Sequence, residues 1–206
     1  MISNEQDVVA NVGQLFIKYG IKSLTMDDIS RHLGISKKTL YKYVEDKNDL
    51  VGKVLTAFNE QDIQMVDEVM SKGLNAIDEQ LEISKYINQK LTHIHPSVHY
   101  DLEKYHPNQW RKYLKLQGEV INRCILTNIK NGIQEGLYRE DLNAEIISKI
   151  YISRFDAVFD GELFPSDQFK FSDVHHEFFR YHIRGIASKK GIKYLVEKVK
   201  KEKLKS

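Results

Sequence analysis

Apolar residues recur at spacings of three and four along almost the whole chain. Proline, which would interrupt such a pattern, occurs only three times in 206 residues. Positions three and four apart share one face of a helix, so this spacing predicts an all-α protein. Val8, Val12, Leu15, Phe16 and Tyr19 form a first stripe, and Gly20 stands where a helix would stop. Thr25 then precedes "MDDIS" as an N-cap, with Asp27 and Asp28 in the favourable first turn. Ile29 and Leu33 are the apolar pair of this second helix, and Gly34 ends it. Ser36 caps a third short helix from Lys37 to about Tyr43, and a fourth begins near Lys47 or Asn48. Beyond Gly73 the pattern predicts helices over about 75–91, 97–104, 108–134, 143–159 and 173–187, with a loop around Pro165.

Hydrophobic residues make up 41% of the chain, enough for a sizeable core. No run of about 18 apolar residues exists, so no membrane span is expected. The first residues lack the basic and apolar regions of a signal peptide. Cys124 is the only cysteine, which excludes an intrachain disulfide. Together these features predict a cytoplasmic protein. The net charge is +2, but residues 189–206 carry eight lysines against two glutamates. This basic tail reads as a solvated amphipathic helix with Ile192, Leu195, Val196 and Val199 on one side.

One stretch carries chemistry. Two short helices joined by a tight turn describe a helix-turn-helix. Leu40 and Val44 are four apart and face Ile29 and Leu33, which leaves Lys37, Lys38, Thr39, Tyr41, Lys42 and Tyr43 to solvent. The major groove of a DNA duplex admits such a helix. Thr39 offers a hydroxyl and a methyl group, and the Tyr41 ring can lie against a thymine methyl. The lysines can neutralise phosphates, Lys47 at the start of the fourth helix among them.

At these residues, "LTMDDISRHLGISKKTLYKYVEDKNDLVGKVL" resembles the DNA-binding domain of the TetR family of bacterial transcriptional regulators. The resemblance spans about residues 5–58. It implies that Thr25 caps the second helix and bonds a phosphate. It also implies that Ser36, Lys37, Lys38, Thr39 and Tyr41 face bases or backbone, and that Tyr43 and Lys47 grip phosphates. Lys38 stands where members often have glycine, and Val44 where they often have phenylalanine. By the same resemblance, residues 1–50 form a three-helix DNA-binding domain and residues 51–188 a larger helical domain for ligand binding and dimerisation, ahead of the tail at 189–206. Ile146, Ile150, Phe155 and Val158 in one helix, and Phe178, Phe179, Ile183 and Ile186 in another, fit a four-helix interface between two copies.

The expected function is a ligand-responsive repressor that binds a palindromic operator on double-stranded DNA as a homodimer. Its effector is a small molecule that the sequence does not name. Tyr86, Trp110, Tyr113 and Phe155, with Tyr100, Tyr105 and Phe159, are aromatic candidates for lining a pocket, although each also suits an ordinary core. Two rival readings stand beside this one. The helix-turn-helix could touch protein instead of DNA. Alternatively, the cluster His93, His95, His99 and His106, with His175, His176 and His182, could serve a metal-dependent hydrolase. No H-E-x-x-H motif or cysteine pair supports the latter, so neither a metal, a cofactor nor enzymatic activity is expected.

Overall fold

Helix boundaries fall where the local chemistry demands them. In a computed structural model that describes residues 2–154 and 156–203, α1 runs Glu5–Tyr19, α2 Met26–Leu33, α3 Lys37–Leu40 and α4 Lys47–Ser71. They are followed by α5 Ala76–Thr92, α6 Ser97–Tyr105, α7 Pro107–Gln134, α8 Ala144–Ser153, a 3-10 turn Asp156–Phe159, α9 Phe171–Ile186 and α10 Lys189–Lys203. The fold is all-α among the described residues, and no helix there is long and apolar enough to cross a membrane. The three prolines sit outside helix interiors. Pro96 precedes α6, Pro107 opens α7 where its missing N–H costs nothing, and Pro165 lies in the connection between α8 and α9.

Side-chain caps set the starts. Asn4 Oδ1 accepts from Asp7 N at 2.8 Å ahead of α1, and Asn143 Oδ1 from Ile146 N at 3.1 Å ahead of α8. Asp46 Oδ1 does the same for α4, accepting from Asp49 N at 2.8 Å. Two elements end earlier than the sequence periodicity predicts. After Leu40 the N–H groups of Lys42 and Tyr43 bond three residues back, so α3 tightens into turns before α4 begins. Likewise α8 stops at Ser153, where Arg154 N turns to the Tyr151 carbonyl, and the tighter 3-10 turn follows.

The chain divides into two compact units, residues 1–64 with 93–117, and residues 65–92 with 118–206. In the first, Val8, Val12, Phe16, Ile29, Leu40, Val44, Leu50 and Val54 form one core with Leu102 of α6 and Trp110 of α7. In the second, Ala76, Ile77, Ile125, Ile129, Phe179, Ile183, Ile186 and Leu195 pack together. A polar network crosses this second core. Asn128 Nδ2 donates to Glu79 Oε1 at 2.8 Å and to the Ala76 carbonyl at 2.9 Å, while the Tyr138 hydroxyl lies 2.8 Å from Asn128 Oδ1. Burial raises the Glu79 carboxyl above its ordinary range and pushes the Cys124 thiol up to about 12. Such a thiol is an inert packing group.

Candidate nucleic-acid interface

The interface is built on α2 and α3 of the first unit. Thr25 opens α2 with a full capping box: its hydroxyl oxygen accepts from Asp28 N at 3.1 Å, while Thr25 N donates to Asp28 Oδ2 at 3.0 Å. The Thr25 hydroxyl lies 2.6 Å from the same carboxylate and holds Asp28 below the usual carboxyl range. Gly34 closes the helix at φ 67°, in the left-handed region where a side chain is strained. That turn allows Ser36 to cap α3, its Oγ accepting from Thr39 N at 3.0 Å and lying 2.8 Å from Thr39 Oγ1.

Leu40 is fully buried and Val44 nearly so, packed in one core with Ile29. This anchoring turns the opposite face of the turn outward. Lys37, Lys38, Tyr41 and Lys42 are exposed, while Thr39 and Tyr43 are half-buried. Lys37 Nζ lies 3.0 Å from an oxygen of Asp27, an exposed ion pair. Lys38 and Lys42 make no ion pair among the described residues. Tyr41 keeps 44% of its surface exposed on a segment whose apolar contacts lie behind it. The Tyr43 carbonyl accepts from Lys53 Nζ at 2.6 Å, which fixes the approach to α4.

Lys47 does something the sequence does not suggest. Its Nζ donates to the carbonyls of Ile21 and Leu24 at 2.7 and 2.5 Å, so the ammonium ties down the turn between α1 and α2. Burial lowers it below the ordinary lysine value, and the Asp101 and Asp28 carboxylates pull the other way. Asp101 of α6 grips the same turn through its N–H groups. Its buried Oδ2 accepts from Ile21 N and Lys22 N, both at 2.9 Å, and from Ser97 Oγ at 3.2 Å. Gly20 lies at this contact with φ 79°, and a Cβ there would come within 2.4 Å of Ser97 Oγ. His95 N donates to the Ile17 carbonyl at 2.7 Å, and His106 Nδ1 lies 3.0 Å from Asn48 Oδ1 at the start of α4. Asp101 and Ser97 are not among the site residues expected from sequence, and His95 and His106 enter there only as candidates for a metal. They stand up to 80 residues from their partners, and no local pattern announces them.

The other expected groups scatter. Trp110 and Tyr113 stack at 5.4 Å in the core of the first unit, whereas Tyr86 is half-buried on α5 in the second. Tyr100 and Tyr105 are exposed on α6. Phe155 lies outside the described residues, as does the Phe159 side chain. Of the interface set, Val158, Phe179, Ile183 and Ile186 are buried within their own chain, Ile146 and Ile150 are exposed, and Phe178 is half-buried. Among the described residues no three of His, Cys, Asp and Glu gather closely enough to hold a metal ion.

Residues 14–54 match the family described as bacterial regulatory proteins, tetR family. The chain is 24% identical over 172 residues to the HTH-type transcriptional regulator YvaF of Bacillus subtilis, covering 82% of this chain and 88% of that protein. It is 24% identical over 135 residues to the HTH-type transcriptional repressor KstR2 of Rhodococcus jostii, covering 64% and 66% of the two chains. In fold it is similar to a TetR-family transcriptional regulator from Agrobacterium tumefaciens, with a TM-score of 0.70 at 15% identity over 89% of this chain and 97% of that one. A regulatory protein TetR from Rhodobacter sphaeroides superposes with a TM-score of 0.69 at 15% identity, over 88% and 98% of the chains. A helix-turn-helix capped at Thr25 and Ser36, a cationic face in front of buried Leu40, and these likenesses agree: residues 14–54 carry the helix-turn-helix of the bacterial regulatory proteins of the tetR family, and most of the chain is similar to HTH-type transcriptional regulators.

Proposed function

We propose that the chain is a repressor that occupies a palindromic operator as a homodimer and leaves it when a small molecule binds the second unit. The observation that carries the DNA reading is the outward face of the α3 turn. Lys37, Lys38 and Lys42 stand beside exposed Tyr41 over a side chain, Leu40, that cannot rotate away from the core. In this reading Thr39 and Tyr41 meet base edges, the lysines and the N-cap residues Thr25 and Ser36 meet phosphates, and Tyr43 lies against the backbone. Lys47 then acts by holding the turn ahead of Thr25, since its ammonium is spent on carbonyls.

A groove of about 800 Å³ on the second unit supports the dimer. Ile150, Leu163, Phe169 and Tyr181 line it and are all exposed, an apolar surface that a solitary chain would leave in water. Effector control requires only that the small molecule prefer one spacing of the two recognition helices over another.

The test is a mobility shift with a duplex selected from a random library by the protein itself, at about 50 and 200 mM salt. Affinity should fall by orders of magnitude between the two, because phosphate contacts release counterions. Binding that ignores salt, or failure to select any duplex, overturns the reading.

A further inference from the structure

Away from the α3 face, the first unit carries a second cationic site that no part of the helix-turn-helix explains. Lys22, in the turn ahead of α2, donates from Nζ to the Tyr105 hydroxyl at 2.6 Å and lies 4.7 Å from the centre of that ring. Lys104 donates to the Tyr100 hydroxyl at 2.5 Å and sits 4.9 and 5.7 Å from the Tyr100 and Tyr105 ring centres. The two rings meet edge to face at 6.4 Å, and both remain exposed. Neither lysine forms an ion pair among the described residues, although Glu103 lies next to Lys104 in sequence. The hydrogen bonds to tyrosine hold both ammoniums above the ordinary lysine value. The chain thus fixes two positive charges on an aromatic platform and neutralises neither. Fixing them beforehand lowers the ordering cost of meeting an anion.

The position of the platform points to which anion. Lys22 lies three residues before Thr25, so the Lys22–Tyr105 bond brings the end of α6 to the N-terminal side of α2. One residue on, His106 Nδ1 meets Asn48 Oδ1 at the N-terminal end of α4. The last turn of α6 therefore lies at the start of α2, the helix end whose cap Thr25 the DNA reading directs to the duplex backbone, and is tied to the start of α4. We propose that Lys22 and Lys104, carried on Tyr100 and Tyr105, form a phosphate clamp on the DNA flanking the operator core. This inference rests on the DNA-binding reading and extends the contact surface to α6.

The probe is a duplex selected by the full-length protein, made in a core length and with about six further base pairs on each side, and titrated by fluorescence anisotropy over a salt series. On the long duplex the double variant Lys22→Ala/Lys104→Ala should bind about tenfold more weakly, with a log–log salt slope smaller by about two per protomer. On the core duplex it should match the parent. Tyr105→Phe, which keeps the ring and removes the hydroxyl, should give part of the loss on the long duplex only. Equal affinity and slope for variant and parent on the long duplex, or an equal loss on both lengths, overturns the clamp. Lys37→Ala/Lys38→Ala is measured alongside. If that variant loses binding while the clamp variant does not, the DNA reading stands and the clamp fails. If neither variant changes binding, both fail.

Discussion

At the scale of single residues, Lys38 and Lys47 are both lysines beside a helix start, yet the structure uses them oppositely. Lys38 is exposed and makes no ion pair among the described residues, whereas the Lys47 ammonium satisfies two carbonyls of the α1–α2 turn. Lys47→Met keeps the aliphatic stem and removes both bonds, leaving the Ile21 carbonyl only the 3.3 Å bond from Leu24 N. It should cost about 1–3 kcal/mol, read as a lower denaturant midpoint with unchanged m-value. Lys38→Ala should leave the midpoint within about 0.5 kcal/mol and weaken DNA binding instead. Tyr41→Ala should reduce affinity for the selected duplex more than for random DNA, since a base-edge contact is lost and phosphate contacts remain. Equal losses on both would assign Tyr41 to the backbone.

At the scale of elements, α9 shows what a helix with two apolar faces does. His175, Phe179, Ile183 and Ile186 follow one another at spacings of three and four and are buried. Phe178 and His182, also four apart, turn the other way and pack on Tyr151 of α8, at ring distances of 4.9 and 4.6 Å. The outward side continues to Tyr181, 83% exposed, and to Ile146 and Ile150 on α8. Ile150→Glu with Tyr181→Glu should convert the proposed dimer to a monomer in sedimentation while the helical signal persists, and should abolish tight binding to a two-half-site duplex. On the buried side, burial and the neighbouring His176 push His175 down to about 4, and its Nδ1 has no hydrogen-bond partner among the described residues. The unfolded chain, with imidazole near its ordinary value, binds this proton first. Stability should therefore be intact above about pH 6.5 and decline as pH falls toward 4, by up to about 3 kcal/mol from this residue. His175→Gln should flatten that part of the pH–stability curve by one proton.

At the scale of the whole molecule, the helix-turn-helix is held from two sides by groups of opposite charge. Lys47 takes the carbonyls of the α1–α2 turn and Asp101 takes its N–H groups. This clasp makes α6 part of the unit that presents Thr25 and α3. Asp101→Asn retains the shape but weakens charge-assisted bonds, and should cost about 1.5–3 kcal/mol. Amide hydrogen exchange should then speed up at Ile21 and Lys22 well before it does at Leu50 in the core. Unchanged exchange at those two amides would show that the carboxylate does not hold the turn.

Local sequence carried the helical class, the capped starts of α2 and α3 and the outward face of the α3 turn. Those features depend on groups within four residues of one another: Thr25 with Asp28, Ser36 with Thr39, Leu40 with Val44. Caps and helical periodicity are local physics, so they are written locally. Only the tertiary fold brings the Lys47 ammonium to the Ile21 and Leu24 carbonyls, Asp101 to a turn 80 residues away, and Lys22 to Tyr105. It also decided which apolar face of α9 is core, because Phe178 and Phe179 are the same residue to any pattern. Only the neighbours that the folded chain brings up distinguish them.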